Sequence, residues 1–456
     1  MKNENFSSRI GFILVSAGCA IGLGNVWRFP FIVGKNGGAL FVLIYLVFLV
    51  ILGMPIMTAE FAVGRASQAT AVQSFKILQK DPGQKWSVIG KMAVVGCYVL
   101  LSFYISVCGW MMAYIAKMAS GQFAAANIDT GAIFGTMLSQ PVTMLWWAFA
   151  TLAITVTVCY IGFQKGVERI TTVLMSLLFV VMIVLMVRSL SLPNAVEGLK
   201  FYLVPNVDNF MAIGWKTVVF EAMNQAFFTL SLGISCMAIF GSRIDQSRSL
   251  LGESIHIGLL DTTVAFMAGL IIFPAAASFG IDTDQGPSLI FVTIPKIFNQ
   301  MSMGSLWGSL FFVFMSFAAL STVIAVFENI ISCSMDIFSF SRRKSILING
   351  AILLIISLPC ILGFNVWSHI QPLGPGSTIL DLEDFIVSAN ILPLGSLGYL
   401  LFAVTNKGWG FESFQKEANT GAGQKLPSWT KPYLRFVLPG LILFIFAMGY
   451  VAMFFQ

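Results

Sequence analysis

Between Ile10 and Val33 an apolar stretch long enough to cross a bilayer is interrupted at its middle by Ala20-Ile21-Gly22-Leu23-Gly24-Asn25, followed at once by Trp27-Arg28-Phe29-Pro30. Two glycines and an asparagine at that depth free backbone amides and carbonyls that hydrocarbon cannot satisfy, at a cost of several kcal/mol each. Bound ions or a bound small molecule can satisfy them. The chemistry implied is therefore coordination: loose carbonyls and the Asn25 amide oxygen for a hard cation, amides at a half-helix N-terminus for an anion. The run Phe227-Phe228-Thr229-Leu230-Ser231-Leu232-Gly233 repeats the pattern, with two hydroxyls and a glycine inside a second apolar stretch.

Polar side chains elsewhere in apolar stretches supply partners. The acids are Glu60, Glu221, Asp261 and Glu328, with Asp336 near the end of its stretch. An ionisable group at membrane depth is expensive and so a functional candidate by default. Asp261 is the sharpest, between Leu259-Leu260 and Thr262-Thr263; a carboxylate with Asn25 and Thr229 suits sodium, which takes hard oxygen ligands much as calcium does. Glu60 and Glu328 are read as acceptors for exposed amides or water beside the broken helices; Glu221 has no assigned role. Ser321 and Thr322 give adjacent hydroxyls, with the Ala318 carbonyl one turn upstream; taken alone, such a pair is more often the mark of helical back-bonding. His256 and His369 stand apart from each other and from any cysteine. The seven cysteines all lie in or beside apolar stretches without CxxC spacing and read as small packed hydrophobes.

The elements that must position these groups are membrane helices. The 456 residues are 57% hydrophobic and only 10% charged, with mean hydropathy +0.87, a balance outside that of soluble domains. Windows of about 20 apolar residues fall near 10–33, 39–63, 89–118, 141–160, 166–187, 217–240, 256–278, 305–335, 346–364, 383–404 and 434–454. The first reads as a retained span and not a signal peptide. Eleven spans separate two sets of loops. The set on the amino-terminal side carries 19 of the 26 Lys and Arg, which places the N-terminus in the cytoplasm and the C-terminus outside. The net charge of +6 is this topology signal and not a nucleic-acid footprint. No extramembrane domain is large enough to hold a core; 406–432 reads as a cytoplasmic connector and 279–303 as a short outer hairpin.

Five spans separate the first interrupted segment from the second, so the two enter the membrane from opposite sides. The expected fold is an all-α polytopic membrane protein of eleven transmembrane helices: a five-plus-five inverted repeat with the first and sixth helices broken. The first repeat covers 1–188, the second 189–405, and 406–456 holds the connector and the last span. Paired interrupted helices at matched positions point to a transporter's midplane site.

The run Gly18-Cys19-Ala20-Ile21-Gly22-Leu23-Gly24-Asn25-Val26-Trp27-Arg28-Phe29-Pro30 resembles the signature of the neurotransmitter:sodium symporters. The likeness extends through Asn36-Gly37-Gly38, Gly53-Met54-Pro55 with Glu60, Lys165 to Arg169, Gln225 to Gly233, Leu260-Asp261, Ser321-Thr322 with Glu328, and Asp381 to Phe385. Eleven spans match the family's bacterial branch. The resemblance implies two sodium sites. One uses Ala20, Asn25, Thr229 and Asp261 with the substrate carboxylate. The other uses the carbonyls of Gly18, Ile21 and Ala318 and the hydroxyls of Ser321 and Thr322. It implies a substrate carboxylate on the amides of Leu23 and Gly24 and on Tyr104, an ammonium facing carbonyls near Ala20, Phe228, Thr229 and Ser231, and a side-chain pocket of Leu100, Tyr104, Phe228, Ile234, Thr322 and Val326. Arg28 and Asp384 resemble the outer gate, Asp336 the acid of the inner one.

Departures from the family pattern carry information. Asp261 stands where Asn is usual, so a fixed carboxylate takes over the charge balance that animal members obtain from chloride, and no chloride requirement is expected. Arg243 replaces an inner-gate aromatic. Ser176 replaces a proline, which puts proline-driven unwinding of that helix in doubt. The usual arginine and tryptophan before the first span are replaced around Asn3 and Phe6, with Lys2 a substitute cation. Ile234 in place of a phenylalanine enlarges one pocket wall, which favours tyrosine or tryptophan over small aliphatic substrates. The reading is a sodium-coupled importer of neutral hydrophobic amino acids in the cytoplasmic membrane, its partners the amino acid and the lipid bilayer, its oligomeric state unassigned. No hydrolase or metalloprotease motif suggests an enzyme. A nonconducting amino-acid sensor or an ion channel is the alternative within the same membrane class.

Overall fold

The computed structural model describes residues 4–125, 128–281 and 289–454. Among these the fold is helical and contains no strand; the one β-bridge joins Arg248 to Ala422. The helices that matter are α1 (Arg9–Ala20), α2 (Gly24–Lys35), α3 (Ala39–Ser67), α4 (Ser87–Ala119), α5 (Pro141–Ile161), α6 (Phe163–Leu190), α7 (Trp215–Phe228), α8 (Cys236–Gly241), α9 (Leu250–Ser278), α10 (Gly304–Phe338), α11 (Arg342–Leu362), α12 (Ile379–Val404) and α13 (Thr430–Val451).

Nine of these are long and apolar enough to cross a membrane unaided: α3–α6 and α9–α13. The pair α1 and α2 forms one further span bent by 58° at its break. The segment from α7 to α8 does not pass the same length test, because its second half is a helix of six residues. Short helices over Ile294–Asn299 and Phe411–Ala418 lie between the long ones. The first matches the apolar part of the expected outer hairpin; residues 282–288 of that hairpin lie outside the described residues.

Helix starts follow local chemistry. Ser8 caps α1, its hydroxyl accepting from the Gly11 amide at 3.0 Å. Thr378 and Asp381 form a reciprocal capping box at the start of α12. Proline opens α5, where its missing N–H costs nothing. With Ser176 in place of proline, α6 runs unbroken from Arg169 to Leu190 after a wider first turn.

Helices α4 and α10 are the centre. In their most apolar windows 72% and 83% of residues are buried, against 28% in α6 and α13. The α4–α10 contact is the most extensive between any two helices, and α1, α5 and α6 also pack on α10. The outer faces of α5, α6 and α13 expose Trp146, Phe149, Val180, Val184, Phe436 and Phe444, the side chains that lipid requires. The segment 411–423 docks on α3 through Arg65, whose buried guanidinium donates to Glu417 Oε1 at 2.6 Å and to the Arg248 carbonyl at 2.7 Å. All seven cysteines are buried and free.

Candidate functional site

Both interruptions expected from sequence are present, and they face each other at the centre of the molecule. Helix α1 ends at Ala20, and Ile21 turns to extended backbone (φ −69°, ψ 94°). The break is sealed on one side only. The Leu23 amide donates to Tyr104 Oη at 2.8 Å, and the Gly22 amide reaches Asn25 Oδ1 at 3.4 Å. A Cβ on Gly22 would collide with the Tyr104 hydroxyl, so this close approach admits only glycine; a Cβ on Gly24 would meet nothing within 4 Å. Gly24 thus borders open space, while the neighbouring Leu23 amide is held by the Tyr104 hydroxyl.

The second interruption runs from Thr229 to Ser235, with positive φ at Ser231 (50°), Gly233 (93°) and Ser235 (67°). Gly233 needs its missing side chain twice: for that φ, and because a Cβ would press on the Leu392 carbonyl. Its amide donates to Glu60 Oε1, as the sequence suggested for that acid. The Ile234 carbonyl accepts from Asn329 Nδ2 at 3.0 Å, and Ser235 Oγ accepts from Tyr399 at 2.9 Å. Gln225 ties the interruptions together, its Nε2 donating to the Gly24 carbonyl at 3.1 Å. Gln225 entered the sequence reading only as part of a motif; its polar side chain in an apolar helix is the signal that could have singled it out.

Two groups of oxygens converge here. In the first, Thr229 Oγ1 donates to Asp261 Oδ2 at 3.0 Å, and Asn25 Nδ2 donates to the Asp261 carbonyl at 3.1 Å, while Asn25 Oδ1 accepts from the Gly22 amide at 3.4 Å. Asp261 is fully buried, and its Oδ1 has no hydrogen-bond partner. A buried carboxylate oxygen without a donor beside an amide oxygen, a hydroxyl and the end of α1 at Ala20 fits a sodium ion.

The second group carries more detail. Ser321 Oγ lies 2.9 Å from both the Gly18 and the Ala318 carbonyls. Thr322 Oγ1 lies 3.2 Å from Gly18 O, 3.3 Å from Ile21 O and 3.3 Å from Ala318 O. Two hydroxyl protons face three carbonyl oxygens in five short contacts, so most of these contacts cannot be hydrogen bonds at the same time. A buried excess of oxygens over hydrogens is the donor set of a cation site.

Leu100 and Tyr104 are one turn apart on α4, and Thr322 and Val326 one turn apart on α10. Tyr104, Thr322, Val326 and Ile234 are buried, Leu100, Phe228 and Ser231 partly so. The Ile234 side chain reaches Gly96, one turn from Leu100 on α4. The structure therefore gathers the sequence-derived pocket and both ligand sets around the facing breaks.

The gates are less symmetrical. Arg28 lies with its guanidinium 4.1 Å from the centroid of the Phe228 ring, and Asp384 Oδ1 accepts from Ser388 at 2.6 Å. Arg28 and Asp384 do not come within 4 Å of each other among the ion pairs of the described residues. At the opposite face, Asp336 is exposed and accepts from the Thr70 amide at 3.3 Å, without a cation among the described residues. Lys2 and Asn3, its suggested partners, lie outside the described residues.

An ionic cluster the sequence reading missed closes that face. Glu328 accepts Arg243 at 2.8 Å and Arg342 at 2.6 Å and 2.9 Å, and Arg243 also reaches Ser332 at 2.7 Å. The expectation that Glu328 serves exposed amides is corrected: a fully buried carboxylate takes charged donors where they are in reach. Arg243 stacks 3.8 Å from the Phe163 ring centroid, and its carbonyl accepts the Phe6 amide at 3.1 Å. The N-terminal segment is fastened further by Ser7 to Glu168, at 2.7 Å between side chains, and by Arg9 to Glu253 at 2.9 Å. In this conformation one face is latched and the other is not.

The profile described as the sodium:neurotransmitter symporter family matches residues 3–132 and 132–455. A protein named as an uncharacterized sodium-dependent transporter, YhdH of Bacillus subtilis (strain 168), is 36% identical over 98% of this chain and 97% of its own length. The sodium- and chloride-dependent taurine transporter of Rattus norvegicus is 25% identical over 86% of this chain and 69% of its own. The crystal structure of MhsT in complex with L-phenylalanine superimposes with a TM-score of 0.86 at 36% identity, covering 98% of this chain and all of the other.

Proposed function

Because the chain belongs to the sodium:neurotransmitter symporter family, we propose that it imports neutral aromatic amino acids together with two sodium ions, and without chloride. The observation that carries this reading is the cluster of Gly18, Ile21, Ala318, Ser321 and Thr322, where five oxygens share two hydroxyl protons beside a helix break. The phenylalanine in the MhsT complex supports an aromatic substrate, as does the apolar lining of Leu100, Ile234 and Val326 with the single phenol of Tyr104.

The substrate carboxylate lies across the amides of Leu23 and Gly24 and against Tyr104, and reaches the sodium held by Ala20, Asn25, Thr229 and Asp261. Because one group binds both protein and ion, each ligand strengthens the other by the same factor, which is thermodynamic coupling. The ammonium faces the carbonyls of Ala20, Phe228, Thr229 and Ser231, and Phe228 closes over the side chain. The Asp261 carboxylate is a fixed negative charge beside that sodium, and it replaces the anion on which chloride-dependent relatives rely.

In this reading α1–α2, α3, α7–α8 and α9 form a unit that rocks against α4, α5, α10 and α11. The Arg28–Asp384 pair closes one side and the Glu328 cluster releases the other. The break at 21–23 and the break at 229–235 are the matching members of a five-plus-five inverted repeat over 1–188 and 189–405. Counting α7–α8 as one span then gives eleven, with the N-terminus cytoplasmic and the C-terminus outside. Each uncompensated charge moving inward gains about 2.3 kcal/mol per 100 mV.

The test is uptake into sealed proteoliposomes under an imposed sodium gradient, with the twenty amino acids as competitors and with gluconate replacing chloride. Saturable, sodium-dependent uptake inhibited by tyrosine, tryptophan or phenylalanine and indifferent to gluconate is the expected result. Tight leucine competition without aromatic competition overturns the substrate assignment, and loss of uptake in gluconate overturns chloride independence. Binding without flux identifies a sensor, and unsaturable flux a channel.

A further inference from the structure

Directly beside the second break, thiols from three separate elements converge on one amide. Asn329 Nδ2, in the middle of α10, donates to Cys97 Sγ of α4 at 3.3 Å, to Cys236 Sγ of α8 at 3.6 Å and to the Ile234 carbonyl at 3.0 Å. Cys97 Sγ lies 3.3 Å from the same carbonyl. Cys19, on the last turn of α1, is fully buried as well. Cys333 donates to Asn329 Oδ1 at 3.5 Å from one turn along α10. All four sulfurs are fully buried. One NH2 group has two protons for three acceptors, so sulfur lone pairs remain unclaimed.

We propose that Cys97 and Cys236 form a two-coordinate site for a soft thiophilic cation, and that filling it arrests transport. Both sulfurs lie within 3.6 Å of one nitrogen, so they are close neighbours with no fixed donor between them except a displaceable amide. Among the described residues no group of three or more His, Cys, Asp or Glu side chains has the arrangement of a metal site. This excludes ions that need four donors, such as zinc. It leaves ions that bind two sulfurs in a line: mercury(II), silver(I) and copper(I), which thiolates select. Binding replaces two S–H bonds by two S–metal bonds and releases two protons, with no electron transferred. The hard-oxygen sites for sodium do not compete for such an ion.

The position of the pair decides the consequence. This inference rests on the rocking motion proposed above, in which Cys236 travels with α7–α8 while Cys97 and Asn329 stay with α4 and α10. A metal bridge across that seam joins the two units. The buried sulfurs react only when the seam parts.

The probe is mercury(II) chloride at one equivalent, applied to the purified full-length protein and to proteoliposomes. Two readouts are taken: mercury bound per chain by mass spectrometry, and sodium-dependent uptake before and after a dithiol. Wild type is expected to bind one mercury per chain and to lose uptake more than tenfold, with recovery after the dithiol. Cys97→Ala and Cys236→Ala are expected to keep at least half of their uptake under the same treatment, and Cys360→Ala, away from the seam, to behave as wild type. Cys97→Ser and Cys236→Ser provide a second pair should either alanine variant fold poorly. Inhibition of the Cys97 and Cys236 variants equal to that of wild type overturns the proposal, as does wild-type uptake that survives one bound equivalent. Absence of sodium-dependent uptake before mercury is added would instead count against the transport reading, and the bound-mercury stoichiometry is read independently of it.

Discussion

Replacing Asp261 by Asn tests the electrostatic core of the proposed function. The substitution keeps the shape of the side chain and the hydrogen bond accepted from Thr229, now at 3.0 Å. It removes the negative charge and turns one carboxylate oxygen into either an amide oxygen or an NH2 group. The oxygen at stake, Oδ1, has no protein partner, so no other residue compensates. Two unit charges about 4 Å apart at an effective dielectric of about 20 attract by about 4 kcal/mol. Part of that is returned because a neutral side chain costs less to bury, so sodium affinity at this site is expected to fall by about two to three orders of magnitude without chloride. The variant also leaves the charge balance beside the sodium to an external anion. The Tyr45 hydroxyl is buried and unpartnered beside Asp261 and Thr229, a donor with nothing to donate to. Chloride is therefore expected to restore much of the lost affinity in Asp261→Asn and to change wild type little. The assay is sodium-dependent binding of labelled substrate to detergent-purified protein, titrated in sodium chloride and in sodium gluconate. Equal half-saturation of the variant in both media refutes the reasoning, whether the affinity is unchanged or uniformly low.

Three further outcomes follow from the geometry. Ser321→Ala removes the hydroxyl between the Gly18 and Ala318 carbonyls; losing one ligand to a charged group costs about 1.5–3 kcal/mol. Sodium half-saturation should rise about tenfold or more, and a sodium titration of binding showing an unchanged midpoint contradicts the site. Glu328→Gln leaves Arg243 and Arg342 buried against an amide; breaking such a cluster costs about 3 kcal/mol or more. Thermal unfolding in detergent should occur at a visibly lower temperature, and an unshifted Tm means that the cluster is not a latch. Gly22→Ala drives a methyl group into the Tyr104 hydroxyl and disrupts its bond to the Leu23 amide, an overpacking cost of about 1–3 kcal/mol. Substrate KM should rise at least tenfold, and unaltered uptake kinetics rule out Leu23 and Tyr104 as the carboxylate cradle.

What the sequence disclosed and what it withheld divide along a physical line. The breaks at 21–23 and 229–235 were legible because Gly, Asn, Ser and Thr in an apolar stretch have no reason to be there except backbone exposure. Asp261 and Glu60 were legible for a similar reason: a single acid in a lipid-length helix must have a local purpose. The partners of Glu328 were not legible. Arg342 sits 14 residues away around a helix-helix turn and read as one of a run of basic loop residues; Arg243, 85 residues away, was noticed only as a replacement for an inner-gate aromatic. The cysteines were correctly expected to be buried and unpaired. That three of them meet at Asn329 depends on the packing of α4, α8 and α10, which no periodicity encodes. Among the described residues α7–α8 also shows why span counting falters at a functional break: the irregular turn leaves its second half too short to register as a membrane helix.

Under the proposed function, the Arg28 guanidinium resting on the Phe228 ring makes the lid of the pocket and the bolt of the outer door a single part. In that reading a guest large enough to tilt the ring dislodges the arginine and frees it for Asp384. Discrimination between bulky and slim guests would then reside in how fast the door shuts rather than in how firmly the guest is held, and stopped-flow trapping rates that failed to climb with side-chain volume would rule this out.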